Sequence, residues 1–176
     1  STAVATLPNA LLETDRDYTA FAFGKLANIQ ANAIEDSTQG LATNNVRVRI
    51  VHAADGVGAV NVYQVPAMGA ATAIALNLRY GTFAMPVDLP TDAFVAGIDL
   101  DDDKSPDLLF DIPSLPRGTV VNVFAVLDST GAPLLLAQLG NSTVARLDPK
   151  KSELRVLHLS PNAPPVKAFI DGELPA

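Results

Sequence analysis

A sixteen-residue pattern that occurs twice constrains the fold of this chain more than any other feature. The first copy, at 48–63, reads VRIVHAADGVGAVNVY, and the second, at 154–169, reads LRVLHLSPNAPPVKAF. His52 and His158 occupy the same position in the two copies, 106 residues apart, and the other matching residues keep that separation. A constant separation indicates a repeated structural unit.

The composition excludes several classes of protein. The 176 residues carry a net charge of −7, which argues against nucleic-acid binding, because neutralising phosphates needs clustered Lys and Arg. Apolar residues make up 48% of the chain, enough to build a core, yet no apolar run approaches the roughly 18 residues that a membrane span requires. The absence of Cys excludes disulfides, thiolate metal sites and cysteine nucleophiles.

The spacing of apolar segments is typical of a β protein. Short apolar or alternating runs are separated by Gly, Pro, Asn and Asp, and thirteen prolines disfavour long helices. We predict about nine strands between residues 46 and 150, including 73–80, 82–89 and 108–112, with one short helical piece near 70–76. The predicted fold is all-β, an Ig-like or transthyretin-like antiparallel β-sandwich.

The repeat divides the chain into three parts. Residues 46–150 form one complete sandwich unit, and residues 151–176 begin a second unit. Residues 1–45 resemble the back half of a unit, because residues 18–23 correspond to 120–125 and Ser37 corresponds to Ser142. These separations, 102 and 105, differ slightly, so the match needs a gap. We expect the two half-units together to build a second sandwich.

The repeated opening also resembles a known family. VRIVHAAD at 48–55 and LRVLHLSPNAPPVKAFIDG at 154–172 are similar to the opening of the family known as domain of unknown function 4397. Two departures lie in the complete copy, where Ala54-Asp55-Gly56 replaces the usual Ser-Pro-Asp step and Gln64-Val65 replaces Asp-Gly. The resemblance implies a secreted or cell-surface β-sandwich module, often in tandem, and implies no activity.

Few residues are arranged for chemistry. His52 and His158 lack a neighbouring acid or second histidine at useful spacing, so we interpret each as a strand-end residue whose ring bonds the adjacent turn. No nucleophile–base pair or cofactor motif is visible, and we predict no catalytic activity.

An acidic loop is the best candidate for a metal site. Asp99, Asp101 and Asp103 have the 1, 3, 5 spacing of a calcium loop, and Asp107 follows them. Lys104 stands where such a loop needs Gly, and Phe110 stands where it needs Glu. The alternatives are a weak Ca²⁺ site and a solvated turn between strands.

The half-units suggest a function. A sandwich that lacks strands leaves apolar surface and backbone groups unpaired. We therefore expect a non-catalytic, extracellular structural protein that self-associates head-to-tail by strand complementation into a filament, layer or adhesive stalk. The donor strands are 153–160 and 165–171, and the acceptors are 3–7 and 17–24. The residues expected to carry assembly are Leu154, Val156, Leu157, His158, Val166, Phe169, Tyr18, Phe21 and Phe23.

Two alternatives to strand donation between copies stay open. The two half-units can close on each other within one chain, or the chain can be a ligand-binding or Ca²⁺-binding module of a longer tandem-repeat surface protein. If the chain self-associates head-to-tail, its partners are copies of the chain itself.

Overall fold

The computed structural model describes residues 7, 12–140 and 143–151. Eleven strands lie in these ranges: β1 (Tyr18–Phe23), β2 (Gln30–Glu35), β3 (Asn45–His52), β4 (Val60–Val65), β5 (Thr72–Leu78), β6 (Val87–Pro90), β7 (Phe94–Asp99), β8 (Leu108–Ile112), β9 (Val120–Leu127), β10 (Pro133–Gln138) and β11 (Val144–Leu147). Among the described residues, no helix is long and apolar enough to cross a membrane; the single helical element there is the 3₁₀ turn Leu26–Asn28.

Two sheets form the sandwich. The strand order of the five-stranded sheet is β11-β10-β9-β3-β6, and that of the four-stranded sheet is β5-β4-β7-β8. The prediction of an all-β sandwich with about nine strands after residue 45 is therefore confirmed for the described residues.

Alternation along the strands places the core between these sheets. In β3, Val46, Val48 and Ile50 point inward and are at most 6% exposed, whereas Arg47 and Arg49 lie on the outer face. Phe110 from the opposite sheet is fully buried in the same cluster. Each buried aliphatic or aromatic side chain contributes roughly 1.5–3 kcal/mol by leaving water.

The sandwich is not wholly antiparallel, and this corrects the predicted topology. β3 and β9 lie side by side and run parallel, with Arg47 opposite Val120 and His52 opposite Ala125. After β3 the chain crosses to the four-stranded sheet at β4, and it returns from β8 of that sheet to β9. It therefore enters the five-stranded sheet from the same end at β3 and at β9. A parallel pair is compatible with such long connections.

Two local predictions also need correction. The helical piece expected near 70–76 is wrong, because β5 occupies this segment and pairs Ala73 with Tyr63 and Thr72 with Gln64 on β4. Pairing along a sheet edge outweighs the helix propensity of its alanines. The strand expected over 82–89 is confined to β6, and the residues before it cross the sheet, with Phe83 bridging Val51.

The β1–β2 hairpin forms a separate two-stranded sheet on the outer face of the five-stranded sheet. Phe23 and Ile34 of this hairpin are 8% and 3% exposed, although neither belongs to the core cluster between the two large sheets. The hairpin is thus a third layer with its own buried contacts.

Candidate functional site

A polar cluster around the buried Asn122 holds the hairpin on the sandwich. Asn122, 1% exposed in the middle of β9, donates from Nδ2 to Asp36 Oδ1 at 2.9 Å and to Gln138 Oε1 at 3.0 Å. Thr19 Oγ1 on β1 lies 3.0 Å from the same Gln138 oxygen and close to Asp36 Oδ2, and its single proton bonds one of the two. Because the buried amide of Asn122 bonds side chains both of the hairpin segment and of β10, the cluster restricts where β1 lies on the sheet.

Two arginines of β3 hold the other strand of the hairpin. Arg49 donates from Nη1 to Glu35 O at 2.9 Å, and Arg47 donates from Nη1 to Ser37 O at 2.9 Å. Burial lowers the pKa of Arg49, whereas a hydrogen-bonded pair with Asp88 raises the pKa of Arg47. The arginine of the repeated motif, Arg49, therefore binds the carbonyl of the last residue of β2.

Aromatic rings also hold the hairpin against the sandwich. The Phe21 and Phe124 rings meet edge to face with centroids 5.1 Å apart, and the Phe23 and Tyr80 rings do so at 5.8 Å. Gly81, at φ +76°, lies against Phe23, where a Cβ would come within 3.1 Å of the ring. Phe21 and Phe23, both predicted to serve assembly, thus face the sandwich of their own chain.

One backbone edge of β1 pairs with β2, and the opposite edge lies over the outer face of β10 and β11. β2 contacts β3 through the arginines, whereas β1 contacts β10 through Thr19 and Gln138. Within the described part of the chain, β1 pairs only with β2. Val144, which pairs with Gln138 and so shares its face, is 56% exposed beside this edge.

Tyr18, at the start of β1, accepts a hydrogen bond from Glu13 N at 3.2 Å. The remaining residues expected to carry assembly lie outside the described residues, namely Leu154, Val156, Leu157, His158, Val166 and Phe169.

His52 organises the turn that follows β3. Its Nδ1 accepts from Ala54 N at 3.3 Å, so the ring proton is on Nε2, which donates to Gly58 O at 2.8 Å. With 1% exposure and both nitrogens engaged, His52 is a buried turn anchor, as interpreted from the sequence. The equivalent His158 lies outside the described residues.

The acidic loop brings three carboxylates together. One oxygen each of Asp99, Asp101 and Asp107 lies within 4.8 Å of the others, while Asp103 accepts from Ser105 N at 2.7 Å. Lys104 adopts φ +72°, the left-handed conformation that the calcium-loop pattern reserves for Gly.

Backbone amides surround the buried carboxylate of Asp99. Oδ1 accepts from Asp101 N and Asp102 N, and Oδ2 accepts from Lys104 N and Asn61 Nδ2. Burial acts to raise the pKa of Asp99, but the hydrogen bonds from Asn61 and these amides outweigh it and lower the pKa. Four donors match the four lone-pair positions of a carboxylate, so Asp99 organises the loop.

An apolar cavity opens between the sheets at the end of the sandwich that holds His52. Its volume is about 240 Å³, and its walls include Phe110, Leu127 and Leu134. His52 is the one polar side chain in the lining, and its ring is already bonded. The cavity has room for a small apolar group but lacks polar side chains to orient it.

Sequence reasoning missed the polar cluster around Asn122 that holds the hairpin. Asn122 was one polar residue within the apolar run 119–127, and this interruption was the signal that could have marked it. Its partners are 16 to 103 positions away in the chain, so only the fold brings them together.

Comparison with known families finds a match over the segment that contains this hairpin. Residues 1–63 match the family described as domain of unknown function (DUF4397). For these residues, the match supports the predicted resemblance to the DUF4397 family. It includes the β1–β2 hairpin, continues through β3 and ends at Tyr63 in β4, so it crosses the predicted boundary between residues 45 and 46. No curated protein matches the chain, and no solved structure matches it.

Proposed function

We propose that this protein is a non-catalytic structural module, secreted or on the cell surface, that self-associates head-to-tail. One copy adds a strand from segment 152–176 to the β1–β2 sheet of the next copy. The observation that carries this proposal is the edge of β1, whose side chains are docked while one row of its backbone groups has no strand beside it within the described residues. Such an edge is a template for strand addition.

Four of the other edges of the described strands are obstructed, and a fifth, that of β11, is only four residues long and carries a charged side chain. Lys150 N donates to Leu109 O at 2.7 Å and covers part of the β8 edge. β6 ends in Pro90, which cannot donate to a ladder, and β5 contains Asn77 at φ +50° beside two register shifts. Arg49 binds the carbonyl of the last residue of β2. Prolines, bulges and charged side chains are the usual protection of edges.

β1 carries none of these obstructions. Its sequence, YTAFAF, has no proline and no charge, and its outward residues Ala20 and Ala22 are small and exposed. Apart from Tyr18 at its start, the outward side chains of β1 that an approaching strand would meet are small and uncharged. The edge is therefore the most favourable place among the described strands for another strand to pair.

The hairpin register supports the equivalence of β1–β2 with β9–β10. Ala125 pairs with Leu135, ten positions later, whereas Phe23 pairs with Gln30, seven positions later. The connection in β1–β2 is thus three residues shorter. The same three residues separate the two sequence offsets, 102 and 105, so both matches fit one hairpin with a shortened loop.

Deletion of residues 152–176 tests the proposal. Light scattering after size-exclusion chromatography should find concentration-dependent assembly for residues 1–176 and monomers for the truncated chain. The matched control is Leu26→Ala, an exposed change on the hairpin connection, which should assemble like the parent. A truncated chain that assembles as the parent does would contradict strand donation, and so would a parent that stays monomeric at high concentration.

Cation binding by the acidic loop is a second candidate, favoured by the approach of the Asp99, Asp101 and Asp107 carboxylates. It ranks lower because the oxygens of Asp99 already accept four hydrogen bonds. Calorimetric titration with Ca²⁺, with Asp101→Asn as the matched variant, decides it. Heat released by the parent and lost in the variant would support binding, and no heat from the parent would remove this candidate.

A further inference from the structure

We infer that the donated strand runs parallel to β1, with Glu153 beside Tyr18 and His158 beside Phe23, and that it comes from a second copy of the chain. This inference rests on the proposed function and adds the direction, register and source of the strand.

The register follows from the complete unit. There β3 lies parallel to β9, with Arg47 opposite Val120 and Val51 opposite Phe124. The residues that correspond to β3 lie 106 positions later, and those that correspond to β9 lie 102 positions earlier. Transferring the pairing places Glu153 beside Tyr18, Leu157 beside Ala22 and His158 beside Phe23.

The surface next to β1 suits such a strand. In this register Leu154 and Val156 share the face of Thr19 and Phe21, which points toward the five-stranded sheet. The outer side of β11 beneath that position carries Val144, 56% exposed. Covering this valine with aliphatic side chains removes apolar surface from water, which adds to the backbone pairing.

The source of the strand follows from the position of Lys150. Leu147 pairs with Leu135, and the chain then runs past the end of β11 until Lys150 N bonds Leu109 O. Leu108 and Leu127 line one cavity, so this bond lies at the Leu127 end of the sandwich.

Tyr18 lies at the opposite end. It lines a polar groove together with Gly118 and Val120, at the beginning of β9. Val120 and Leu127 are about 23 Å apart, because an extended strand rises about 3.3 Å per residue. The three residues from Lys150 to Glu153 span at most about 10 Å. Glu153 therefore cannot reach Tyr18 of its own chain, and a second copy must supply the strand.

A strand that continued from Lys150 onto β1 of the same chain would enter near Phe23 and run antiparallel. It would bring Glu153 close to Ala22 and carry Leu157 toward the Tyr18 end. The two arrangements therefore predict different neighbours for Ala22, and cysteine pairs can distinguish them. The chain has no Cys of its own, so any disulfide comes from the engineered positions.

The experiment mixes singly substituted chains under mild oxidation, with a mass tag on one of them. Ala22→Cys mixed with Leu157→Cys should give a disulfide-linked heterodimer, since the two positions share a face and neighbouring strands lie only about 4.7–4.9 Å apart. Ala22→Cys mixed with Glu153→Cys is the matched control and should lack this product. Ala22 is exposed, so its substitution leaves the docking contacts in place.

The other outcomes separate the two proposals. A disulfide within the doubly substituted A22C/E153C chain, without heterodimer from the mixture of Ala22→Cys with Leu157→Cys, would overturn the second copy as the source. A link between positions 22 and 153 would overturn the parallel register. Assembly that needs residues 152–176 but gives no link at Leu157 would leave the proposed function standing and refute this register, whereas a parent that never assembles refutes the proposed function itself.

Discussion

Replacing Phe23 with Ala should release the β1–β2 hairpin while leaving the sandwich folded. The Phe23 ring is 8% exposed and packs against Phe21, Tyr80 and Gly81. Removing a buried phenylalanine costs about 3–5 kcal/mol, and the lower value applies where one side of the site can collapse. Because Phe23 lies outside the core cluster between the two large sheets, this cost should fall on the hairpin.

Native-state hydrogen exchange measures the effect strand by strand. A loss of about 3 kcal/mol corresponds to an approximately 100-fold loss of protection, since about 1.4 kcal/mol is a factor of ten. We expect this loss for amides that pair β1 with β2, and little change for those that pair β4 with β7. The matched control, Leu26→Ala, removes a side chain that is 80% exposed on the same hairpin and should leave protection unchanged.

The reasoning is refuted by either of two results. If β4 and β7 lose as much protection as β1, the hairpin and the sandwich unfold as one unit and the third layer is not separable. If β1 keeps its protection, the aromatic contacts do not hold the hairpin.

Two further predictions concern the acidic loop. Gly97→Ala should lower the melting temperature and expose the loop to exchange, because a Cβ there would lie 2.6 Å from Pro106; calorimetry that finds an unchanged melting temperature would contradict this close packing. Asp99 has a folded-state pKa below its ordinary 3.8, so its ionised form stabilises the fold above that pH, and this contribution is lost as the pH falls through the lower, folded-state value. Melting temperatures measured from neutral to strongly acidic pH should therefore fall less steeply for Asp99→Asn, which is less stable at neutral pH; equal slopes would show that Asp99 is not the group responsible.

Many strands of the sandwich could be predicted from the sequence, because the residue pattern that specifies each strand lies within that strand. The alternation of Val46, Val48 and Ile50 with two arginines specifies a half-buried strand, and Leu108–Ile112 begins and ends where its apolar run does. The segment near residues 70–76 was predicted wrongly, since pairing with Tyr63 and Gln64 on β4 decides its conformation and lies outside any local window.

In the candidate site, too, the sequence predicted the local features but not the contacts between distant residues. The sequence indicated that Tyr18, Phe21 and Phe23 belong to a strand of the repeat, and that His52 ends a strand and bonds the next turn. It gave no indication that the two phenylalanines pack on their own sandwich, because Phe124 and Tyr80 are brought to them by strand pairing.

The amino-acid sequence alone determined the β pattern, the repeated opening and the acidic loop, since each depends on residues close together in the chain. Tertiary structure decided where the hairpin lies, which backbone edge lacks a neighbouring strand among the described residues, and how Asp99 uses its oxygens. Those features depend on contacts such as that between Thr19 and Gln138, 119 positions apart. Apolar periodicity specifies which face of a strand is buried, but the neighbour that buries it is selected by the packing of the whole chain.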